Sequence, residues 1–279
     1  MTHPNFFILG SAKSGTTTLY HFLKQHPDIY LTDEKEPNFY NKGFRIIKSE
    51  ADYRSLYSQV TTELIIGEAS HAYLTDFSCA ETLQKNCPDA KFMVILRNPA
   101  ERAYSLYKHM LRHGYETINS FELALEQEEY RLNSNEFISS CDENINNFAY
   151  FKSGLYGQQI EHYFKYFKKE QFHFLTLKDL AEKPQETLNK ALDFLNLQAN
   201  NEQKLTTQND SKKTPISPGL RKWMRTTFKS SSHSIIVRLV NRVNSKNSSK
   251  LDSTTYQELM SKYQEDLKKV EYLTGLRLM

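Results

Sequence analysis

One cation, one glycine and a run of hydroxyls stand together near the start of the chain: Lys13-Ser14-Gly15-Thr16-Thr17-Thr18. They directly follow the apolar run Phe6-Phe7-Ile8-Leu9-Gly10 and precede the helical pattern Leu19-Tyr20-His21-Phe22-Leu23. Strand, small-residue loop and helix in that order make a cradle for an anion. Glycine lets the backbone curl, and the unpaired N–H groups of a helix start point at the bound group. The helix dipole adds roughly 0.3–1 kcal/mol for a nearby negative charge. Lys13 supplies a full positive charge, and the threonines supply hydroxyl donors. The chemistry predicted is the binding of a phosphorylated ligand.

Gly10 and Gly15 have the separation of the nucleoside-triphosphate loop G-x-x-x-x-G-K-[ST], but Thr16 stands where that loop carries lysine. The lysine lies two residues before the second glycine. It therefore sits inside the loop, beside the phosphate nearest the nucleoside, rather than on the helix. A second segment, Lys91 to Tyr107, reads as a buried strand entering a helix. Met93 to Leu96 are apolar without alternation, as in a strand covered on both faces. Asn98, Pro99 and Glu101 suit the N-cap, first turn and capping-box positions. Arg97 then stands at the carboxyl end of a strand, where open α/β sheets bind ligands. Ser105 follows about two helical turns later.

Together these motifs resemble the sulfotransferases that use 3′-phosphoadenosine 5′-phosphosulfate (PAPS). The resemblance spans most of the chain and is nearest the branch containing the heparan sulfate N- and 3-O-sulfotransferases and bacterial relatives. Lys13 to Thr18 resemble the loop that holds the 5′-phosphosulfate, and Arg97 with Ser105 the grip on the 3′-phosphate. Glu36-Pro37-Asn38-Phe39-Tyr40 matches a Glu-x-x-Phe-Phe/Tyr segment, and Ser153-Gly154-Leu155-Tyr156 a Ser-x-Tyr-like one. Lys212 and Lys213 resemble a basic loop that closes over the donor. The implied fold is α/β, with a P-loop-like central parallel sheet flanked by helices. At one place the chain departs from the branch. Where heparan relatives often read Glu-Lys-Thr-Pro-x-Tyr, this chain reads Glu68-Ala69-Ser70-His71-Ala72-Tyr73, without the lysine.

By the same resemblance, Lys13 neutralises the leaving oxygen and Glu36 takes the acceptor's proton, with His71 and Glu68 as alternative bases. Transfer of this kind rests on positioning and electrostatics. It needs no divalent metal, and no ligand cluster such as H-E-x-x-H is present. The rival reading is a nucleotide-dependent kinase, which needs an acidic magnesium ligand at a strand end; Glu68 alone fits that place.

The elements that must position these residues follow from pattern. Strands are predicted near 6–9, 64–67, 92–96 and 172–177, separated by helical stretches, which predicts a parallel sheet. Residues 121–131 read as one acidic amphipathic helix and 132–147 as a polar loop; the acidic face is a candidate wall for a cationic acceptor. A terminal helix over 256–273 buries Leu259, Tyr263, Leu267 and Val270. Residues 211–250 form a basic stretch, a candidate mobile lid, with a short amphipathic helix over 235–243. The whole, 1–279, reads as a single domain. A net charge of +3 is mild and does not by itself predict nucleic-acid binding. The first residues lack a signal-peptide pattern and no apolar window reaches membrane-spanning length. Cys79, Cys87 and Cys141 are odd in number and lack metal spacing, so reduced thiols and a cytoplasmic protein are expected. The acceptor expected is then a small soluble molecule, an alkaloid-like metabolite or a saccharide carrying a hydroxyl or amine.

Overall fold

The computed structural model describes residues 3–199, 213–227, 244–247 and 249–279. In chain order the elements begin with β1 (Phe6–Gly10), α1 (Thr16–Leu23), β2 (Ile29–Leu31), α2 (Glu50–Ser55) and β3 (Ile65–Ala69). There follow α3 (Ala72–Thr75), α4 (Ser78–Asn86), β4 (Lys91–Leu96) and α5 (Pro99–His113). Three short helices come next, α6 (Phe121–Glu126), α7 (Glu128–Asn133) and α8 (Asn135–Ser140), then α9 (Tyr156–Tyr163), β5 (Phe172–Thr176), α10 (Leu177–Glu182) and α11 (Pro184–Phe194). The last are β6 (Lys213–Pro215), α12 (Pro218–Thr227), β7 (Ser245–Asn247) and α13 (Ser253–Thr274). Two compact units emerge: residues 3–98, 155–199 and 264–279 form the first, and 99–154, 213–227, 244–247 and 249–263 the second.

The first unit is built on a five-stranded sheet in the order β2-β3-β1-β4-β5, every pair parallel. Its strands are apolar on both faces because both faces are covered. Phe7, Leu9, Phe92, Val94 and Leu96 point into one layer with Tyr53, Tyr73, Leu83, Tyr156 and Tyr163. Phe6, Ile8, Met93 and Ile95 point into the other, with α1 and α10–α11. This is the physical origin of the unalternating apolar runs. The predicted strands are present, no end displaced by more than two residues. Strand β2 was not predicted: its three residues are too short to display a period. The order reverses at β1 and β4, so the crevice beyond their carboxyl ends is the topological switch point.

In the second unit the predicted helix over 121–131 is two helices, divided at Gln127. The polar stretch after it is not one loop. Ser134 Oγ accepts the Phe137 N–H and starts α8, and Asn144 caps a 3₁₀ turn, Ile145–Phe148. Serine and asparagine are loop formers and helix caps alike, and composition does not separate the two uses. A buried ion pair, Arg131 to Glu116 at 2.6 and 2.9 Å, ties this region together. Leu259, Tyr263 and Val270 of α13 are buried as predicted. β6 pairs antiparallel with β7. Lys212 and the helix predicted over 235–243 lie outside the described residues. Cys79, Cys87 and Cys141 are free thiols. Among the described residues no helix is long and apolar enough to cross a membrane.

Candidate active site

The loop between β1 and α1 carries three positive φ angles within six residues: Gly10 (139°), Lys13 (64°) and Gly15 (98°). Two fall on glycine, where such angles cost least. Space around Gly15 is tight as well. A Cβ there would stand 2.9 Å from Leu177 Cδ1 and 3.3 Å from Ile95 Cδ1. Lys13 takes the left-handed conformation against its preference, the kind of outlier that collects at ligand-binding turns. The loop is pinned from within. Ser11 N donates to Ile95 O at 2.8 Å, and the Ser11 and Ser14 hydroxyls meet at 2.6 Å. Gly15 offers α1 no side-chain cap, so the first-turn N–H groups have no capping side chain.

Of the residues expected here, Lys13, Thr17 and Thr18 are half-buried and Thr16 is nearly covered. Ser14 is fully buried, its hydroxyl committed to Ser11, so its side chain shapes the loop from inside. Tyr156, at the start of α9, is also fully buried and accepts a long hydrogen bond from Ser11 Oγ, 3.5 Å. Ser11 was not among the expected residues, and nothing in its type separated it from its neighbours. Arg97 follows β4, the strand beside β1, and so stands at the same sheet edge as the loop. Ser105 lies half-buried on α5, in the second unit. Lys213 opens β6 there, its backbone opposite Asn247.

Beyond β3, on the other side of β1, stand Glu36 and His71. Glu36 Oε2 is 2.7 Å from His71 Nδ1 and accepts the His71 backbone N–H at 2.8 Å. Its Oε1 is 3.0 Å from Lys35 Nζ. Glu36 has φ 62°, and its own N–H is tied to Ala69 O at 2.9 Å. Burial pushes this carboxyl up, but His71 and then Lys35 outweigh it and hold it down at about 2. Only about a fifth of the side chain is exposed. Two of the three candidate bases named from sequence are therefore one hydrogen-bonded pair. Lys35, which completes it, was not foreseen, since a lysine beside a glutamate is common on any surface.

Glu68 is a different kind of group. It has no exposure, and its carboxylate accepts Tyr53 Oη (2.6 Å), Tyr73 Oη (2.9 Å) and Ser70 Oγ (2.6 Å). Burial pushes its carboxyl up to about 7 against the opposing pull of those three hydroxyls. The carboxylate is closed in by hydroxyls, so direct contact with an acceptor is not its place.

In the second unit, Glu122, Glu126, Glu128 and Glu129 line a cavity of about 320 Å³ with Leu125, Phe151, Lys152, Thr255, Glu258, Leu259 and Lys262. Much of its charge is answered locally. Glu128 accepts the Phe151 and Lys152 N–H groups, and Glu129 pairs with Lys152 at 2.5 Å.

Against known proteins, the sulfotransferase domain family matches residues 3–271. A sulfotransferase from Alicyclobacillus acidocaldarius superposes with a TM-score of 0.73 at 27% identity, over 99% of this chain and 97% of that one. The human heparan sulfate glucosamine 3-O-sulfotransferase 6 is 27% identical over 208 residues, 70% of this chain and 52% of that protein. The membrane-associated sulfotransferase kil1 of Dictyostelium discoideum is 22% identical over 86% of this chain and 65% of that protein. The chain thus belongs to the PAPS-dependent sulfotransferase family, related to the heparan sulfate enzymes and to bacterial members. It spans less than two thirds of the length of these two curated relatives. With that membership the kinase reading is set aside, in keeping with the displaced lysine.

Proposed function

We propose that the protein transfers the sulfuryl group of PAPS to a hydroxyl or amine of a small soluble acceptor, releasing adenosine 3′,5′-bisphosphate. The observation that carries this reading is that the Lys13 loop, Arg97 and the Glu36–His71 pair share one edge of one sheet. The loop N–H groups with Thr16, Thr17 and Thr18 would hold the 5′-phosphate. Arg97 would take the 3′-phosphate. Tyr156 would brace the loop through Ser11. Lys13 would neutralise the charge growing on the leaving phosphate oxygen.

In the transfer, the acceptor oxygen or nitrogen bonds to sulfur while the sulfur–oxygen bond to the 5′-phosphate breaks. The electron pair of the broken bond leaves with the bisphosphate, and the acceptor's proton passes to a base. Glu36 has both oxygens engaged and a carboxyl near 2. A carboxylate on Nδ1 orients an imidazole so that Nε2 receives the proton. We therefore assign proton acceptance to His71, with Glu36 fixing its ring. Ala69 in place of the lysine of heparan relatives removes a cation beside this centre and favours an acceptor that is not a polyanion.

Calorimetry with adenosine 3′,5′-bisphosphate tests the donor site. Binding is expected without magnesium and at least tenfold weaker in Arg97→Ala, and consumption of PAPS across an acceptor panel is expected to follow. Preference for magnesium-ATP over the bisphosphate would overturn the reading.

A further inference from the structure

The turn that carries Glu36 is an unfavourable one. Glu36 and Asn38 both have positive φ, 62° and 51°, without a glycine between them. Such a turn persists only when its surroundings over-determine it. Two of its N–H groups end on hydroxyls: Asn38 N donates to Ser70 Oγ and Tyr40 N to Tyr73 Oη, each at 3.2 Å. A hydroxyl can accept from these N–H groups only if its own proton points elsewhere. Both protons point to one carboxylate: Ser70 donates to Glu68 Oε2 and Tyr73 to Glu68 Oε1.

We propose that Glu68 is a positioning residue for the transfer: it fixes the proton direction of Ser70 and Tyr73, and so makes both hydroxyls acceptors for the turn that presents Glu36 to His71. The inference rests on the assignment of Glu36 and His71 to the reaction. Glu68 itself touches no substrate. Its position one residue before the end of β3 explains the reach, because Ser70 and Tyr73 follow within a single turn of chain. Among the described residues, the other ionisable groups around it are the phenols of Tyr53, Tyr57 and Tyr40, the thiols of Cys79 and Cys87, and Glu36. Tyr53 donates to the same Oε1, and Tyr57 Oη donates to Tyr53 at 3.0 Å, which orients that hydroxyl as well.

Glu68→Gln is the discriminating change. The amide is nearly isosteric, yet it replaces one acceptor oxygen by a donor. Where the amide nitrogen faces a hydroxyl, that hydroxyl can no longer donate to residue 68; its proton loses its fixed direction and its acceptance of the backbone N–H is weakened. Read by NMR at pH 8, above the Glu68 value of about 7 so that the carboxylate is ionised, amide hydrogen exchange is expected to show at least a tenfold loss of protection at Asn38 or Tyr40, with the amides of β1 and β4 unchanged. The rate of PAPS hydrolysis at saturating PAPS is expected to fall at least tenfold, while calorimetric affinity for adenosine 3′,5′-bisphosphate stays within twofold. Should Glu68→Gln fail to fold, Ser70→Ala is expected to release Asn38 alone and Tyr73→Phe to release Tyr40 alone. Wild-type protection at both amides, or bisphosphate affinity falling in step with rate, would overturn the proposal. A wild-type protein that neither binds the bisphosphate nor consumes PAPS would overturn the transfer reading instead, while the exchange data would still decide the relay.

Discussion

At the scale of the residue, the base and the cation act in the same transfer, but only the cation also holds the donor, so they should separate in kinetics. Lys13→Ala is expected to lower both turnover and donor affinity. Glu36→Gln and His71→Asn are expected to lower turnover by roughly 10²–10⁴, the usual yield of a positioned base, with bisphosphate affinity kept. With His71 as the base, its Nε2 must be unprotonated to act, so acid is expected to lower the rate. A rate that stays level down to about pH 4 would instead make Glu36 the direct acceptor. Steady-state kinetics against pH, paired with calorimetry, decides between them.

At the scale of the element, the loop between β1 and α1 is held by its glycines and by the packing of its neighbours. Gly15→Ala forces a side chain into left-handed backbone, costing about 1–2 kcal/mol, and sets its Cβ against Leu177 and Ile95. Urea unfolding should register a loss at least of that size, and bisphosphate binding should weaken because the helix start shifts. Unchanged stability and affinity would mean that the loop tolerates a wider turn. The relation of sequence to structure also differs by element. Strands β1 and β4 were legible because each is long, apolar and followed by turn or capping residues. Strand β2 and the break at Gln127 were not, since neither leaves a periodic trace in so few residues.

At the scale of the whole molecule, Glu36 and Glu68 pull stability in opposite directions with pH. Glu36 is depressed from 4.5 to about 2, so its contribution is present above about pH 4.5 and lost as pH falls through 2. Glu68 is raised to about 7, so its contribution is present below about pH 4.5 and lost as pH rises through 7. Each slope is at most roughly 1.4 kcal/mol per pH unit. Chemical unfolding across pH 3–8 should therefore show Glu68→Gln removing a decline between 4.5 and 7. It should show Glu36→Gln removing a loss at the acid end. A Glu68→Gln curve parallel to wild type between 4.5 and 7 would refute the assignment.

The sequence by itself determined the glycine-bearing loop between the first strand and helix, the strand ending in Arg97, the parallel α/β architecture and the identity of Glu36 and His71 as candidates. Those features are local: a glycine, a cap or an apolar run declares itself within a few residues. Only the tertiary structure decided that Glu36 and His71 are one pair, that Lys35 completes it, and that Glu68 stands behind it as a buried acceptor of three hydroxyls. The physical reason is that a carboxylate's role depends on its burial and partners. Glu36 and His71 come from segments 35 residues apart in the chain, brought side by side by the pairing of β2 with β3.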